Sequence, residues 1–583
     1  MEVRNGSVKV APNHLKPYIC QQHYEQYTPI DHAVWRYVMR QNHYFLKNVA
    51  HPAYVEGLLS SGIGIEAIPK VEEMNACLSR VRWGAATIDG LIPGVAFFDF
   101  QGHGILPIAT DIRKVENIEY TPAPDIIHEA AGHAPILFDE KYAEYVRRFG
   151  SIGAKAFATK AEHDVFQAVR NLTIVMESKT STPEEIAAAK QLVEEKQKAV
   201  TGISEAEQIS RLFWWTVEYG LIGELDNPKI YGAGLLSSVG ESKHCLTDQV
   251  KKIPFSIEAC MNTPYDVTTM QPQLFVCQSF DELIEAIEAF ANTMAFRKGG
   301  TEGLEKAILS ESTATIELSS GLQITGTVAT LQKNATDEAI YFRTSGPTAL
   351  SIEGKQLSDH STDIHKDGFG TPIGLLEGDI SLEDCTEEQL QNLGITIGQC
   401  TSLTFKSGVQ VEGTVTHILK HGGKLALLSF ENCTVTLQEQ ILFESSWGAF
   451  DMAVGAKISS VFAGAADPET FFSHEKAPDP KRTKRPWTPL EQLYQHVREL
   501  REHNYWNEHC LCLITSILQT LRESYEEEWL LRLEILELLH MYGVQTDEKE
   551  KLQDELLNLS QNKKVQQLIT NGLQLLTDKE VTK

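Results

Sequence analysis

The spacing of apolar residues changes twice along this chain, and those changes limit what it can fold into. From about residue 15 to 300 apolar positions recur mostly at helical intervals. After Gly299-Gly300 they alternate with β-branched residues and glycine becomes frequent, the texture of short strands and tight turns. From Leu490 to Leu576 the helical interval returns, with Trp529, Leu530, Leu533, Leu536 and Leu539 on one face. A chain of 583 residues is too long for one ordinary domain. The reading is therefore multidomain: a mainly α domain over 1–305, a β-rich domain (small barrel or sandwich) over 306–465, a linker over 466–489, and a helical module over 490–583.

Within the first region, short strands are expected near Gly94–Phe98 and Leu274–Cys277, and a helical hairpin across 163–207 turning at 178–183. The β-rich region contains an echo: Ser320-Gly321-Leu322-Gln323-Ile324-Thr325-Gly326-Thr327-Val328 recurs as Ser407-Gly408-Val409-Gln410-Val411-Glu412-Gly413-Thr414-Val415. Two copies point to a duplicated hairpin rather than a solenoid. No chemistry stands out in either copy. The linker carries five prolines and the basic run Lys481-Arg482-Thr483-Lys484-Arg485, a composition read as a solvated tether.

A formal charge of −27 argues against nucleic-acid or anionic-membrane partners, because phosphates would be repelled over most of the surface. No stretch of about 18 apolar residues is present, and the start of the chain lacks a secretion signal, so a cytoplasmic protein is expected. None of the ten cysteines forms a Cys-x-x-Cys pair, which removes support for zinc ribbons and dithiol redox chemistry.

Chemistry concentrates at His128 and His133 in Pro124-Asp125-Ile126-Ile127-His128-Glu129-Ala130-Ala131-Gly132-His133, and at Glu218 in Trp214-Trp215-Thr216-Val217-Glu218-Tyr219. A lone histidine is more often a core or surface residue than a ligand. A carboxylate inside an apolar aromatic run, however, needs a cation to pair with. Two imidazoles and one carboxylate on one face of a metal leave other positions open, which suits non-haem Fe(II). On a regular α-helix, side chains five apart diverge by roughly 140°. The expectation is that the helix ends at Gly132, before Pro135, so that His133 swings back toward His128. A zinc hydrolase with Glu129 as base is the alternative, although its usual motif has one residue fewer between the histidines.

With these residues in place, the surrounding text resembles the pterin-dependent aromatic amino acid hydroxylases over roughly residues 20–300. The resemblance rests on Tyr120–Asp125 leading into the two histidines, on Trp214–Glu218, and on Tyr231-Gly232-Ala233-Gly234-Leu235-Leu236-Ser237-Ser238-Val239-Gly240-Glu241. Tyr27–Trp35 is similar to the N-terminal stretch of short bacterial members, so the regulatory domain that opens animal members is expected to be absent. The resemblance implies a mainly helical catalytic domain holding Fe(II) through His128, His133 and Glu218, with tetrahydrobiopterin or a related reduced pterin beside it. It implies a substrate site of Arg113 for the carboxylate with Thr121, Pro124, Trp214 and Ser237, the last also bonded to the first histidine. Asp125 falls in the supporting shell, and Glu129, Gly84 and Leu91 fall on the pterin side. In this reading Leu91 stands where the family has a stacking aromatic.

Val267 falls where tyrosine hydroxylases carry an aspartate. An apolar side chain there favours phenylalanine, hydroxylated to tyrosine, over tyrosine as substrate; hydroxylation of tryptophan stays open as an alternative. Residues 306–583 are then read as a binding or assembly module, with homo-oligomerisation through the C-terminal region as one use.

Overall fold

The computed structural model describes residues 9–88, 90–119, 124–177, 182–267, 269–472, 485–503 and 506–577. The first long helix, Pro29–Val49, opens with a capping box: the Thr28 hydroxyl accepts from the Asp31 N–H, and the Asp31 carboxylate accepts from the Thr28 N–H. Trp35, Arg36, Tyr37 and Val38 are all buried, so this helix is covered on every side rather than on one stripe.

The Gly94–Phe98 run is helical, not a strand: Gly94–Gly102 forms an α-helix. It is the crossover between parallel strands Gly84–Ile88 and Ile105–Ala109. A short apolar run carries no period that separates strand from helix. The run ahead of it, Gly84–Ile88, took the strand position instead. Gln273–Cys277 is a strand, lying between Leu221–Ile222 and Lys251–Pro254 in a four-stranded sheet. The hairpin forms from Lys160–Glu177 and Pro183–Ala199, the second helix starting at a Thr182 capping box. Most of its turn, 178–181, lies outside the described residues.

The echo in the β-rich region becomes two antiparallel meanders. Thr313–Leu318, Leu322–Lys333 and Ala339–Ile352 form one; Cys400–Thr404, Val409–His421 and Lys424–Leu437 form the other. Each repeat turns at its Ser-Gly pair, where Gly321 and Gly408 take φ of +89° and +86°, a conformation that favours glycine. Each meander then recruits a later strand, Gly370–Pro372 in the first and Phe450–Ala453 in the second. Ile458–Ala463, which follows the second meander, returns to pair with Thr313–Leu318 in the first. The cores are shared accordingly. Ile316, Ile324 and Phe342 pack with Leu427 and Ala453, while Ile340 and Tyr341 pack with Val411, Leu428 and Phe430.

Five helices follow: Pro489–Glu502, Glu508–Ser524, Leu530–Met541, Asp547–Leu559 and Gln566–Thr577. They do not stand apart. Tyr494, Leu518, Leu533 and Ile569 join the same apolar core as Trp35 and Val38. Arg36 grips Glu534 with two bonds of 2.5 and 2.8 Å, and the Tyr37 hydroxyl donates to the Leu568 carbonyl. Burial pushes the Glu534 carboxyl up, but Arg36 outweighs it and holds the group at about 2. Of the expected tether, 473–484 lies outside the described residues. Its front end is fixed, with buried Asp467 accepting from the Gln356 N–H and Glu469 meeting His14.

Candidate active site

The backbone solves the histidine spacing by a route other than the expected break. Ile127–His133 is one turn of π-helix, and its i→i+5 ladder brings residues five apart onto one side. Helix termination at Gly132 is therefore corrected: the chain continues, widened, to His133. Gly132 serves a different need, since a Cβ there would lie 2.6 Å from the Ala233 carbonyl oxygen. Glycine lets the short helix Ala233–Ser237 press against the histidine turn. Trp214–Glu218 is π-helical as well, with the Tyr219 N–H donating to the Trp214 carbonyl at 2.9 Å.

Two imidazole nitrogens and the two oxygens of one carboxylate meet there. His128 Nε2 lies 3.1 Å from His133 Nε2 and 3.1 Å from Glu218 Oε2, and His133 Nε2 lies 3.2 Å from Glu218 Oε1. The Ser237 hydroxyl has one proton, which it gives to the Ala233 carbonyl at 2.8 Å. It must then accept from His128 Nδ1–H, 3.1 Å away, leaving the Nε2 lone pair facing inward. Burial pushes the Glu218 carboxyl up, but His133 and His128 outweigh it and hold the group well below the usual carboxylate range. Acceptors this close need a shared cation.

The site opens on a cavity of about 450 Å³ lined by Leu91, Phe97, Arg113, Pro124, Trp214 and Val267 among others. Arg113 is locked to Asp125 by two bonds of 2.8 Å, and its Nη1 donates to the Ser237 carbonyl. Three of its five N–H groups are thus used and two remain for a ligand carboxylate. Asp125 also accepts from the His128 N–H at 3.0 Å, so the arginine and the first histidine share one brace. Burial works against the charged form of Asp125, yet Arg113 keeps its carboxyl below the usual range.

Other expected residues fall elsewhere. Gly84 is corrected: it sits at the start of its strand against Asn75 and Lys9, and the cavity wall is made by Leu91, Gly94 and Phe97. Trp214 stacks with both Tyr219 and Tyr265, at ring distances of 4.5 and 4.4 Å, so its flat faces are engaged by protein and its edge meets the cavity. Glu129 is buried beside His133, 3.9 Å away, with Oε2 lacking a partner. Burial pushes its carboxyl up to about 8. Thr121 lies outside the described residues.

Sequence reasoning passed over Phe97 and Glu241. Phe97 packs edge-on against Phe213 and supplies the aromatic wall beside Leu91; reading its run as a strand hid it. Glu241 closes the quoted glycine-rich segment and accepts from the Tyr219 hydroxyl and the Gln271 N–H. Burial pushes it up to about 7.

Two histidines and a carboxylate that could hold a metal ion are set on widened helical turns beside an arginine-bearing pocket. Residues 19–170 and 188–299 match the family of biopterin-dependent aromatic amino acid hydroxylases, and the rest of the chain lies outside that match. The unmatched stretch, 171–187, falls in the helical hairpin. Phenylalanine-4-hydroxylase of Ralstonia nicotianae is 27% identical over 275 residues, 47% of this chain and 74% of that protein. The Pseudomonas aeruginosa protein of the same name is 28% identical over 260 residues, 44% and 82% respectively. A crystal structure of Chromobacterium violaceum phenylalanine hydroxylase with iron(III) and 7,8-dihydrobiopterin aligns at 26% identity, covering 48% of this chain and 86% of that one, with a TM-score of 0.38.

Proposed function

We propose that this protein hydroxylates phenylalanine to tyrosine with O2, using Fe(II) and a reduced tetrahydropterin such as tetrahydrobiopterin. The observation that carries the reading is the His128–His133–Glu218 triangle, with edges of 3.1–3.2 Å, facing the same cavity as the Arg113 guanidinium. Iron and pterin together would supply the two-electron activation of O2; the matched family is biopterin-dependent.

The chain's own residues do the rest. His128, His133 and Glu218 hold the metal, and Ser237 and Asp125 fix the His128 ring and backbone. Arg113 takes the amino acid carboxylate through its two remaining donors. Pro124 and the Trp214 edge bound the substrate ring. Phe97 and Leu91 form the pterin-side wall. Glu129, whose carboxyl burial pushes up, would offer its unpartnered oxygen to a cofactor-bound water. Val267 on the cavity wall gives a ring hydroxyl no partner, so phenylalanine is favoured over tyrosine. The zinc-hydrolase alternative is not favoured, since the family match speaks for a biopterin-dependent hydroxylase.

The region 306–465 is read as a duplicated, strand-exchanged β-sandwich, and 490–583 as a helical cover for Pro29–Val49; together they form a binding or assembly module. Among the described residues, no helix is long and apolar enough to cross a membrane.

The test is incubation of purified protein with Fe(II), a reduced tetrahydropterin, O2 and each aromatic amino acid. Tyrosine from phenylalanine is expected, dependent on both iron and pterin. No hydroxylated product from any of the three amino acids refutes the reading.

A further inference from the structure

The β-rich region brings together a second pair of histidines and a carboxylate, far in sequence from the first. His360 ends a short 3-10 turn, Ser358–His360, and His365 follows five residues later, its carbonyl accepting from the Thr348 N–H. Asp451 lies on the strand Phe450–Ala453, directly across from Ser429. His360 Nδ1 stands 3.3 Å from His365 Nε2 and 3.5 Å from Asp451 Oδ2, and His365 Nε2 stands 3.6 Å from the same oxygen. All three side chains are nearly buried, at 11%, 10% and 13% exposure.

These edges are long for hydrogen bonds, which for nitrogen donors cluster near 2.9–3.0 Å and fade beyond about 3.2 Å. They suit ligands around one ion. At zinc–ligand distances of about 2.0–2.1 Å a tetrahedral edge is about 3.3 Å. Three potential lone-pair donors converging in a nearly closed site, with no hydrogen bond of good length among them, is an arrangement that a cation stabilises. The supporting contact is present too, since the Ser429 hydroxyl donates to the other Asp451 oxygen and fixes the carboxylate. On the remaining side lies a cleft of about 310 Å³ touched by His365, Asp451, Arg343 and Tyr341.

We infer that His360, His365 and Asp451 bind one divalent ion of the zinc type, whose fourth position faces the Arg343 cleft and is filled by water or a small anion. The site stands on the residues of 306–465 alone and is independent of the hydroxylase reading.

The test is metal stoichiometry of the full chain. After chelator treatment, protein is reloaded with excess zinc or cobalt(II), desalted, and its metal counted by mass spectrometry. Two equivalents per chain are expected in the parent protein, one in Glu218→Ala, and one in Asp451→Asn or His360→Ala. The equivalent retained by Glu218→Ala as cobalt(II) should show the intense visible bands of a tetrahedral centre, and Asp451→Asn should lack them. Should a triad variant fail to fold, Glu218→Ala still decides the matter. No retained metal in Glu218→Ala, or a count unmoved by Asp451→Asn in folded protein, overturns the site.

Discussion

The two histidine pairs of this chain share a spacing, His-x4-His, and each meets a carboxylate from a distant element, but they reach their geometry on different scaffolds. His128 and His133 lie on a stretch of π-helix, braced by Ser237 from the short helix Ala233–Ser237 and by Asp125 from the residues just before it. His360 and His365 lie in an irregular connection between strands, and their carboxylate comes from a sheet. In the helical site the two imidazoles reach different oxygens of Glu218, at 3.1 and 3.2 Å; in the sheet site both reach the same oxygen of Asp451, at 3.5 and 3.6 Å. The same spacing in sequence is thus wound into two different arrangements of side chains.

The sharpest way to separate the two sites is to empty one. Glu218→Ala removes a charged ligand from the helical triad while leaving the sheet triad untouched. Iron content and hydroxylation should fall together by more than about 100-fold, beyond the loss that supporting residues alone produce. Metal analysis alongside phenylalanine turnover checks this. Normal iron content with full turnover would break the comparison by removing Glu218 from the ligand set.

The regions also differ in how they are tied to the rest of the chain. Pro29–Val49 reaches the active site through Asn42, whose side chain donates to the Leu236 carbonyl, and it reaches the C-terminal helices through Arg36 and Glu534. Glu534→Ala would leave a buried guanidinium without its partner, a change that costs about 3–5 kcal/mol. Urea denaturation monitored by tryptophan fluorescence should show the helical half unfolding earlier, with the β-rich half unmoved. The pair also sets a pH dependence. Because the folded carboxyl sits at about 2, below its ordinary 4.5, its stabilisation is complete above about pH 4.5 and is lost as pH falls toward 2. Equal shifts in both halves, or a parent protein insensitive to pH between 5 and 3, would contradict this coupling.

Legibility from sequence followed the same divide. The convergence of His128, His133 and Glu218 was readable because Glu218 lies in an aromatic run where an unpaired charge is costly, and because long ordered motifs flank it. The means of convergence was not, since no residue pattern announces a π-turn; Gly132 looked like a helix end when its role is to admit Ala233. Phe97 was lost because four apolar residues in a row fit strand and helix equally well. The duplicated Ser-Gly turns gave away the β meanders, but strand exchange by Ile458–Ala463 depends on contacts across 140 residues or more of chain, which local patterns do not carry. His360 and His365 passed unremarked because Asp451 is remote and nothing around it marks a buried charge.

Gly132→Ala probes the close approach directly. A methyl group 2.6 Å from the Ala233 carbonyl must push the Ala233–Ser237 helix away, and with it the hydroxyl that orients His128. The expected loss is about 10–100-fold in iron affinity and turnover, the scale of removing a supporting bond, with the fold retained. Ser237→Ala should reproduce the lower end of that range. If Gly132→Ala binds iron normally, the helix has moved without cost, and the tight packing of the π-turn is not what holds His128 in place.

The smallest effect is expected at the sheet site. Ser429 touches no metal; it only donates to the Asp451 oxygen that faces away from the triad. Ser429→Ala should weaken zinc or cobalt binding there about 10-fold through loss of that brace. It should leave iron content and phenylalanine turnover unchanged, because the two triads share no residue. Competition with a chromophoric chelator measures the affinity change. A sheet scaffold that holds Asp451 rigidly by its ladder alone would show no change, and that result would mean the strand pairing at Ser429 and Asp451, rather than the hydroxyl, orients the carboxylate.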